Sequence, residues 1–118
     1  MYIEFPFVLG GGMFYKVLDG VKVIEYGNSI SGPFCAKILA DLGAEVTKVE
    51  EPCCGDDSRR QQPFLKDIPG IERSGLFQYL NMNKMGITLN LETATGKKIL
   101  KTLLANADIF IENNPPKK

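Results

Sequence analysis

The hydrophobic pattern of the chain begins with a strand, a helix and a second strand. A β-rich run over 21–26 ends at a Gly-Asn-Ser turn, and a second run, Val46–Val49, ends before Pro52. Between them, Pro33 suits the first turn of a helix and Gly43 suits its end. The spacing predicts an amphipathic helix of about ten residues. Its apolar face is expected to comprise Phe34, Ile38, Leu39 and Leu42.

A second unit of the same kind follows an irregular stretch. Residues 52–76 contain repeated proline and glycine with little periodicity, which predicts a long loop. Alternation of apolar and polar residues over 87–91 predicts a third strand. Thr93 can cap a helix that ends near Asn106, and residues 109–112 predict a fourth strand. Strand, helix and strand in close succession favour right-handed crossovers, so the pattern predicts a three-layer α/β fold with parallel strands.

Composition restricts the class of protein. The 118 residues are 44% hydrophobic, with 14 basic and 14 acidic side chains, which is typical of one globular domain. The Gly10–Gly12 run predicts an irregular lead-in over 1–16, with the domain over 17–118. Zero net charge disfavours nucleic-acid binding, and the apolar runs are too short to span a membrane. Three cysteines without a disulfide framework and an N-terminus without a basic signal region predict a cytoplasmic protein.

The turn between the first strand and the first helix is the first candidate site. The absence of histidine excludes a histidine base, triad or metal ligand from this chain. Free amides and the helix dipole over 27–33 can hold an anion such as phosphate, although good helix capping would explain the same residues. The glycine spacing does not match a dinucleotide motif, even though Glu50 lies where a ribose-binding acid is expected.

A loop rich in charge is the second candidate. It contains Glu50, Glu51, Asp56, Asp57, Arg59 and Arg60. Such runs are usually solvated pairs, and the spacing does not match a calcium loop, so no metal site is predicted. Positive charge is concentrated later in the chain, at Lys84 and on the last helix.

Several segments together resemble the opening of a class III CoA-transferase, the family of formyl-CoA transferase, carnitine CoA-transferase and α-methylacyl-CoA racemase. The segments are LDGVKVIEYGNSISGPFCAKILADLGAEVTKVEEP, GDDSR, NMNKMGITLNLETATGKKIL and ADIFIEN, which occur in the family's order over residues 18–114. The resemblance implies a Rossmann-like domain that binds coenzyme A or acyl-CoA without a metal, acts with a carboxylic acid as second substrate, and belongs to an interlocked homodimer.

The resemblance also implies which residues contact CoA. They are the turn residues Ile30, Ser31, Gly32 and Pro33, the strand-end segment Leu89, Asn90, Leu91 and Glu92, and the following turn Asn113 and Asn114. This sequence departs from the family pattern at Glu51, where some members carry a basic residue toward the CoA phosphates. It also carries Asn90 in place of the usual aspartate, and Ala94 and Thr95 in place of Pro and Glu.

The same resemblance leaves the chain without catalytic residues. The family's transferases use one aspartate to form an anhydride and then an enzyme thioester, and that position lies downstream of Lys118. Two hypotheses follow. In the first, the chain is the N-terminal, CoA-binding and by itself inactive part of an acyl-CoA:carboxylate CoA-transferase, an incomplete part of a larger domain that ends abruptly after a strand. In the second, it is a non-catalytic CoA-binding module or accessory subunit. A fragment of an acyl-CoA racemase is a further alternative.

Overall fold

A parallel sheet forms the centre of the fold. The computed structural model describes residues 16–116. In this part of the chain the sheet has the order β3-β2-β1-β4, with β1 at Lys22–Tyr26, β2 at Glu45–Glu50, β3 at Lys84–Thr88 and β4 at Ile109–Glu112. The helices are α1 at Ser31–Asp41, α2 at Gly75–Leu80 and α3 at Ala94–Ala105. The predicted α/β class with parallel strands is confirmed. Of the predicted lead-in, residues 1–15 lie outside the described residues.

The strand order places a topological switch point beside β1. The first crossover, through α1, moves outward from β1 to β2, whereas the crossover through α3 returns from β3 across the sheet to β4. Right-handed crossovers in opposite directions place their helices on opposite faces of the sheet. The carboxyl ends of β1 and β4 are neighbours, with Tyr26 in register with Glu112. In open α/β sheets, ligands bind in the crevice at such a point.

The contact between α1 and the sheet differs from the expected one. Small residues of the helix are buried, with Ala36 at 0% and Ala40 at 7% exposure, and they pack with Val23 and Val46. The larger side chains expected on the packed face are partly exposed, at 42% for Phe34, 45% for Ile38 and 38% for Leu42. Small side chains let the helix backbone approach the sheet closely. Of the predicted apolar face, Leu39 packs against the core, whereas the other three side chains remain partly exposed.

The third strand begins earlier than the alternation predicts. β3 starts at Lys84 and ends at Thr88, so Leu91 lies beyond it, and Leu89 adds only a hydrogen bond from its amide to the carbonyl of Glu50, at 3.1 Å. A lysine opens the strand because its ammonium group is bound inside the protein. The predicted helix after Thr93 and the predicted strand Ile109–Glu112 are confirmed, and the Thr93 hydroxyl accepts a hydrogen bond from the Gly96 amide.

The loop over 52–76 contains little regular structure, as predicted. It holds 3₁₀ turns at Asp57–Arg60 and Leu65–Asp67, and α2 begins at its end. Ser74 caps α2 by accepting a hydrogen bond from the Phe77 amide. The loop connects β2 to the far edge of the sheet and passes over the carboxyl ends of the strands.

Candidate functional site

Asn113 connects the two sides of the switch point. Its Oδ1 accepts a hydrogen bond from the Asn28 amide at 2.7 Å, and its Nδ2 donates to the Asn28 carbonyl at 2.9 Å and to Ser31 Oγ at 2.7 Å. Asn114 Nδ2 donates to the Tyr26 carbonyl at 2.6 Å. The residues after β4 therefore hold the turn after β1 in a fixed position, and two of the segments implied by the resemblance are in direct contact.

Gly32 is required by this contact. A Cβ atom at Gly32 would lie 2.8 Å from Asn113 Oδ1 and 3.1 Å from the Gly27 Cα. The first distance requires Asn113 to move, and the second is a tight contact with the backbone of Gly27. Pro33 is also buried, whereas Ile30 and Ser31 are exposed at the start of α1. The first turn of α1 is thus closely packed at Gly32 and Pro33 and exposed to solvent at Ile30 and Ser31.

Two amides of the turn are already occupied, which contradicts the expectation of free amides there. The Ser29 amide donates to Asp56 Oδ1 at 3.0 Å and to Asn28 Oδ1 at 3.0 Å, and the Asn28 amide donates to Asn113. The carboxylate of Asp56 takes the position at which a bound anion would be expected. The turn is therefore closed at Asn28 and Ser29 by the protein's own side chains.

A buried cluster of four charged side chains lies beneath the turn. The Glu25 carboxylate binds Lys48 Nζ through Oε2 at 2.6 Å and Lys84 Nζ through Oε1 at 2.6 Å. Lys48 also pairs with Asp56 Oδ2 at 2.8 Å. All four residues are less than one-tenth exposed. We call Glu25, Lys48, Asp56 and Lys84 the buried charge cluster.

Neutral groups complete the buried charge cluster and connect it to the helices. Lys84 Nζ also donates to the Pro33 carbonyl at 2.9 Å and to Asn81 Oδ1 at 2.7 Å, which joins α1 to the end of α2. Lys48 Nζ lies 3.3 Å from the Gly27 carbonyl. The cluster thus supports the turn after β1 from below, through contacts with the Gly27 and Pro33 carbonyls.

Burial and charge shift the pKa values of the cluster in different directions. Burial lowers the pKa of Lys84 to about 8, against the opposing charge of Glu25. Burial disfavours the charged form of Asp56 as well, but the Lys48 ammonium group and the hydrogen bonds from Ser58 outweigh it, so the pKa of Asp56 is lowered. Asp56 therefore remains an anion against the turn amides.

The charged loop is a structural element rather than a solvated run. Arg59 donates from Nε to Glu50 Oε2 at 2.8 Å and from Nη2 to Glu50 Oε1 at 2.7 Å, and its guanidinium carbon lies 3.7 Å from the centroid of the Phe77 ring. Glu50 Oε2 also accepts the Asp56 amide at 2.8 Å. Burial opposes ionisation of Glu50, but Arg59 and the Asp56 amide outweigh it and lower the pKa of Glu50. The expectation of solvated charges is wrong for these residues, although Asp57 and Arg60 do form an exposed pair.

The segment after β3 reaches the same edge of the sheet. The Asn90 carbonyl accepts a hydrogen bond from the Thr93 hydroxyl at 2.7 Å, and its side chain accepts from the Glu92 amide at 3.0 Å, so Asn90 shapes the start of α3. Tyr26 Oη donates to Glu51 Oε1 at 3.0 Å. Burial, then the Glu51 hydrogen bond and charge, and then the charge of Glu92 raise the pKa of Tyr26.

A cleft of about 130 Å³ lies at the carboxyl ends of β1 and β2. Its lining includes Tyr26, Gly27, Asn28, Glu51, Arg60 and Asn114. A larger cavity of about 250 Å³ lies beside β3, near Arg59, Phe77 and Gly86, and contains none of the residues that the resemblance implies for CoA. Of the residues that the resemblance implies for CoA, Asn114 alone lines the smaller cleft.

Three further findings apply to residues 16–116. No group of three or more cysteine and carboxylate side chains converges there in a metal-binding arrangement. No helix in this range has the length and apolarity needed to cross a membrane. The three cysteines are all exposed and free.

Comparison with known proteins identifies the family. The model of CoA-transferase family III matches residues 18–118. The chain belongs to CoA-transferase family III. It is 44% identical over 99 residues to the formyl-CoA:oxalate CoA-transferase of Escherichia coli O6:H1, which covers 84% of this chain and 23% of that relative.

Two solved structures are similar to this chain in fold and in sequence. A CaiB/BaiF family protein from Brucella suis superposes with a TM-score of 0.75 at 41% identity, over 85% of this chain and 26% of that one. A Mycobacterium tuberculosis protein superposes with a TM-score of 0.72 at 34% identity, over 86% and 26%. The chain therefore spans about a quarter of the length of these relatives.

The buried charge cluster is what the sequence analysis missed. Glu25 and Lys48 lie inside strands, and the charge pattern of the sequence marks Lys84 only as a source of positive charge. A usable signal was present, because parallel strands covered on both faces are usually uninterrupted apolar runs. A charged residue within each of two such strands indicates a buried partner.

Proposed function

We propose that the chain forms the N-terminal, CoA-binding portion of an acyl-CoA:carboxylate CoA-transferase. The observation that carries the proposal is the contact between two of the matched segments at the switch point, where Asn113 binds Asn28 and Ser31. The family match over residues 18–118 supports the same assignment. Acyl-CoA and a carboxylic acid are the substrates of the whole enzyme under this proposal.

The contact residues follow the segments described above. The Asn28 and Ser29 amides already donate to side chains of the protein. The CoA diphosphate would therefore bind at the first turn of α1, where the helix dipole favours negative charge. We place it against Ile30, Ser31, Gly32 and Pro33. The nucleotide half then lies toward Leu89, Asn90, Leu91 and Glu92, and Asn113 with Asn114 forms the side wall.

The transfer chemistry needs residues outside this chain. The most buried aspartate, Asp56, is held by Lys48, Ser29 and Ser58 and cannot attack a carbonyl. Asp57 pairs with Arg60, and Asp41 pairs with Lys37. Because the resemblance implies a catalytic aspartate downstream of Lys118, we assign the nucleophile to a further segment of the enzyme and expect no CoA transfer by these 118 residues alone.

The exposed face of α1 is consistent with a larger assembly. Ile30, Phe34, Ile38 and Leu42 follow one another at intervals of four residues and are 38–56% exposed. A stripe of this kind on an amphipathic helix is normally covered by protein. An interlocked homodimer of the complete enzyme in the cytoplasm would supply that cover.

Calorimetric titration of the chain with CoA tests the proposal. A site that has only part of its contacts is expected to bind with a Kd of about 0.1–1 mM. Asn113→Ala should weaken this binding because the tether to the turn is lost, whereas Asn106→Ala, at the far end of α3, serves as the control. The absence of heat at several times this concentration would refute CoA binding.

An activity assay with formyl-CoA and oxalate tests the second half of the proposal. The chain alone is expected to give neither product nor a covalent thioester. A burst of thioester on this chain would show that its own residues supply the nucleophile, and the proposal would then be wrong about the downstream aspartate.

A further inference from the structure

The Asn28 side chain connects the turn after β1 to the charged loop. Its Nδ2 donates to Asp57 Oδ2 at 2.8 Å, and its Oδ1 accepts the Asp57 amide at 2.8 Å. The same Oδ1 accepts the Ser29 amide at 3.0 Å. Because the Asn28 amide and carbonyl are both bound to Asn113, every polar atom of Asn28 has a partner. Three segments therefore meet at Asn28: the turn after β1, the charged loop and the turn after β4.

The backbone beside Asn28 depends on these contacts. Ser29 has a φ of 66°, in the left-handed region that serine rarely adopts. A conformation of this kind persists only where surrounding contacts hold it. In the part of the chain that the structure describes, the Ser29 amide is held by Asn28 Oδ1 and Asp56 Oδ1. The first turn of α1 follows directly, so its position depends on how Asn28 and Ser29 are held.

The Asp57 carboxylate holds Asn28 from the side of the loop. It is exposed, and it binds Asn28 through one oxygen and Arg60 through the other. From Asn28 the contacts continue to Asn113, whose Nδ2 donates both to the Asn28 carbonyl and to Ser31 Oγ. We propose that Asp57 is a positioning residue, which acts through Asn28 to fix the turn after β1 in the form that binds the CoA diphosphate. The inference rests on the proposed function.

Charge and positioning predict opposite effects when this carboxylate is removed. Asp57 lines the cleft beside Asn28, so its negative charge by itself repels an anionic ligand, and removal of the charge would tighten CoA binding. Positioning predicts weaker binding, because a turn that has lost its support must be ordered when the ligand binds. The direction of the change in CoA affinity therefore separates the two effects.

Titration of the chain with CoA tests the inference, with every variant first shown to be folded by circular dichroism. Asp57→Ala should raise the Kd by about three- to tenfold, as expected for the loss of one hydrogen bond. A salt concentration of about 300 mM keeps direct charge effects small. Asp57→Asn retains an oxygen acceptor for Asn28 Nδ2 and should bind CoA with a Kd within about twofold of the parent value.

Asn28→Ala tests the connection between Asp57 and the turn. This variant should weaken CoA binding at least as much as Asp57→Ala does, because it removes all the side-chain contacts of Asn28. Addition of Asp57→Ala to Asn28→Ala should cause little further loss, because the two residues act as one unit.

Asp41→Ala is the matched control. Asp41 Oδ1 accepts a hydrogen bond from Asn83 Nδ2 at 3.0 Å, and Asp41 Oδ2 pairs with Lys37 at 2.6 Å. This exposed aspartate therefore has the same kinds of partner as Asp57, but it lies at the opposite end of α1 from the turn. Its replacement should leave the Kd for CoA unchanged.

The outcomes separate this inference from the proposed function. Failure of the parent chain to bind CoA overturns both together. If the parent binds, unchanged or tighter binding by Asp57→Ala overturns the inference and leaves CoA binding in place. A loss of affinity in Asp57→Asn or in Asp41→Ala as large as that in Asp57→Ala also overturns the inference, because the hydrogen bond to Asn28 is then not the cause. A loss in Asp57→Ala that both of these variants lack supports it.

Discussion

Replacement of Glu25 by glutamine removes the centre of the buried charge cluster with little change in shape. The carboxylate is fully buried and is the shared partner of Lys48 and Lys84, each at 2.6 Å. In Glu25→Gln, Lys48 still has Asp56 as an anionic partner. Lys84 retains only neutral acceptors, the Pro33 carbonyl and Asn81. The variant therefore leaves one buried ammonium group without a counter-charge.

The expected loss of stability is large for a domain of this size. Breaking a buried pair by removal of one partner costs about 3–5 kcal/mol. The whole free energy of unfolding of a small domain is about 5–15 kcal/mol. Lys84 can escape part of the penalty by losing its proton, since burial already lowers its pKa to about 8 and Glu25 opposes that shift. Without Glu25 the pKa of Lys84 falls further.

The pH dependence of the stability difference tests whether the unpaired charge of Lys84 destabilises the variant. Between the lower pKa of Lys84 in the variant and the pKa of about 8 in the parent, only the parent binds the extra proton in its folded state. The stability gap between the two proteins should therefore narrow by about 1 kcal/mol from pH 7 to pH 9. Urea unfolding followed by circular dichroism measures both quantities, with Glu45→Gln as the exposed control. A decrease in the free energy of unfolding of less than about 0.5 kcal/mol at pH 7 would show that the ion pairs of Glu25 with Lys48 and Lys84 do not stabilise the fold.

Three further results are expected. The pKa of Lys84 is about 8 in the folded protein and 10.5 in the unfolded chain. The free energy of unfolding of the parent, measured by urea titration, should therefore rise by about 1–2 kcal/mol from pH 8 to pH 9.5. Lys84→Met should abolish this rise. Asn113→Ala leaves the Asn28 amide without its acceptor and should cost about 1–2 kcal/mol in the same assay. Gly32→Ala should lower the melting temperature because its Cβ meets Asn113, whereas Gly86→Ala, with no atom within 4 Å, should not.

Local signals predicted most of the fold. Thr93 caps α3 and the 109–112 run forms β4, because capping and short-range periodicity depend only on neighbouring residues. The position of β3 could not be predicted in this way. Its first residue, Lys84, is polar by sequence but buried by contact with Glu25, which lies 59 residues earlier. The strand boundary is therefore set by a long-range ion pair.

The orientation of α1 on the sheet also could not be predicted from local sequence signals. Its apolar residues have helical spacing, yet Ala36 and Ala40 face the sheet and Phe34 does not. Periodicity identifies a face of the helix but does not say which neighbour covers it. At the candidate site, the sequence located the turn after β1 and the Asn113 segment, but occupation of the Ser29 amide by Asp56 depends on a loop contact across 27 residues.

The buried carboxylates link ligand binding to the stability of the fold. Glu25 and Asp56 lie beneath the turn and position its backbone, so their removal should weaken the binding of any ligand of the turn together with the stability of the fold. Asn113 holds the same turn from the side through the Asn28 amide and carbonyl, and Asn113→Ala leaves every ion pair of the buried charge cluster in place. A loss of CoA affinity in Asn113→Ala that exceeds the loss expected from its change in stability would therefore show that the position of the turn itself controls binding.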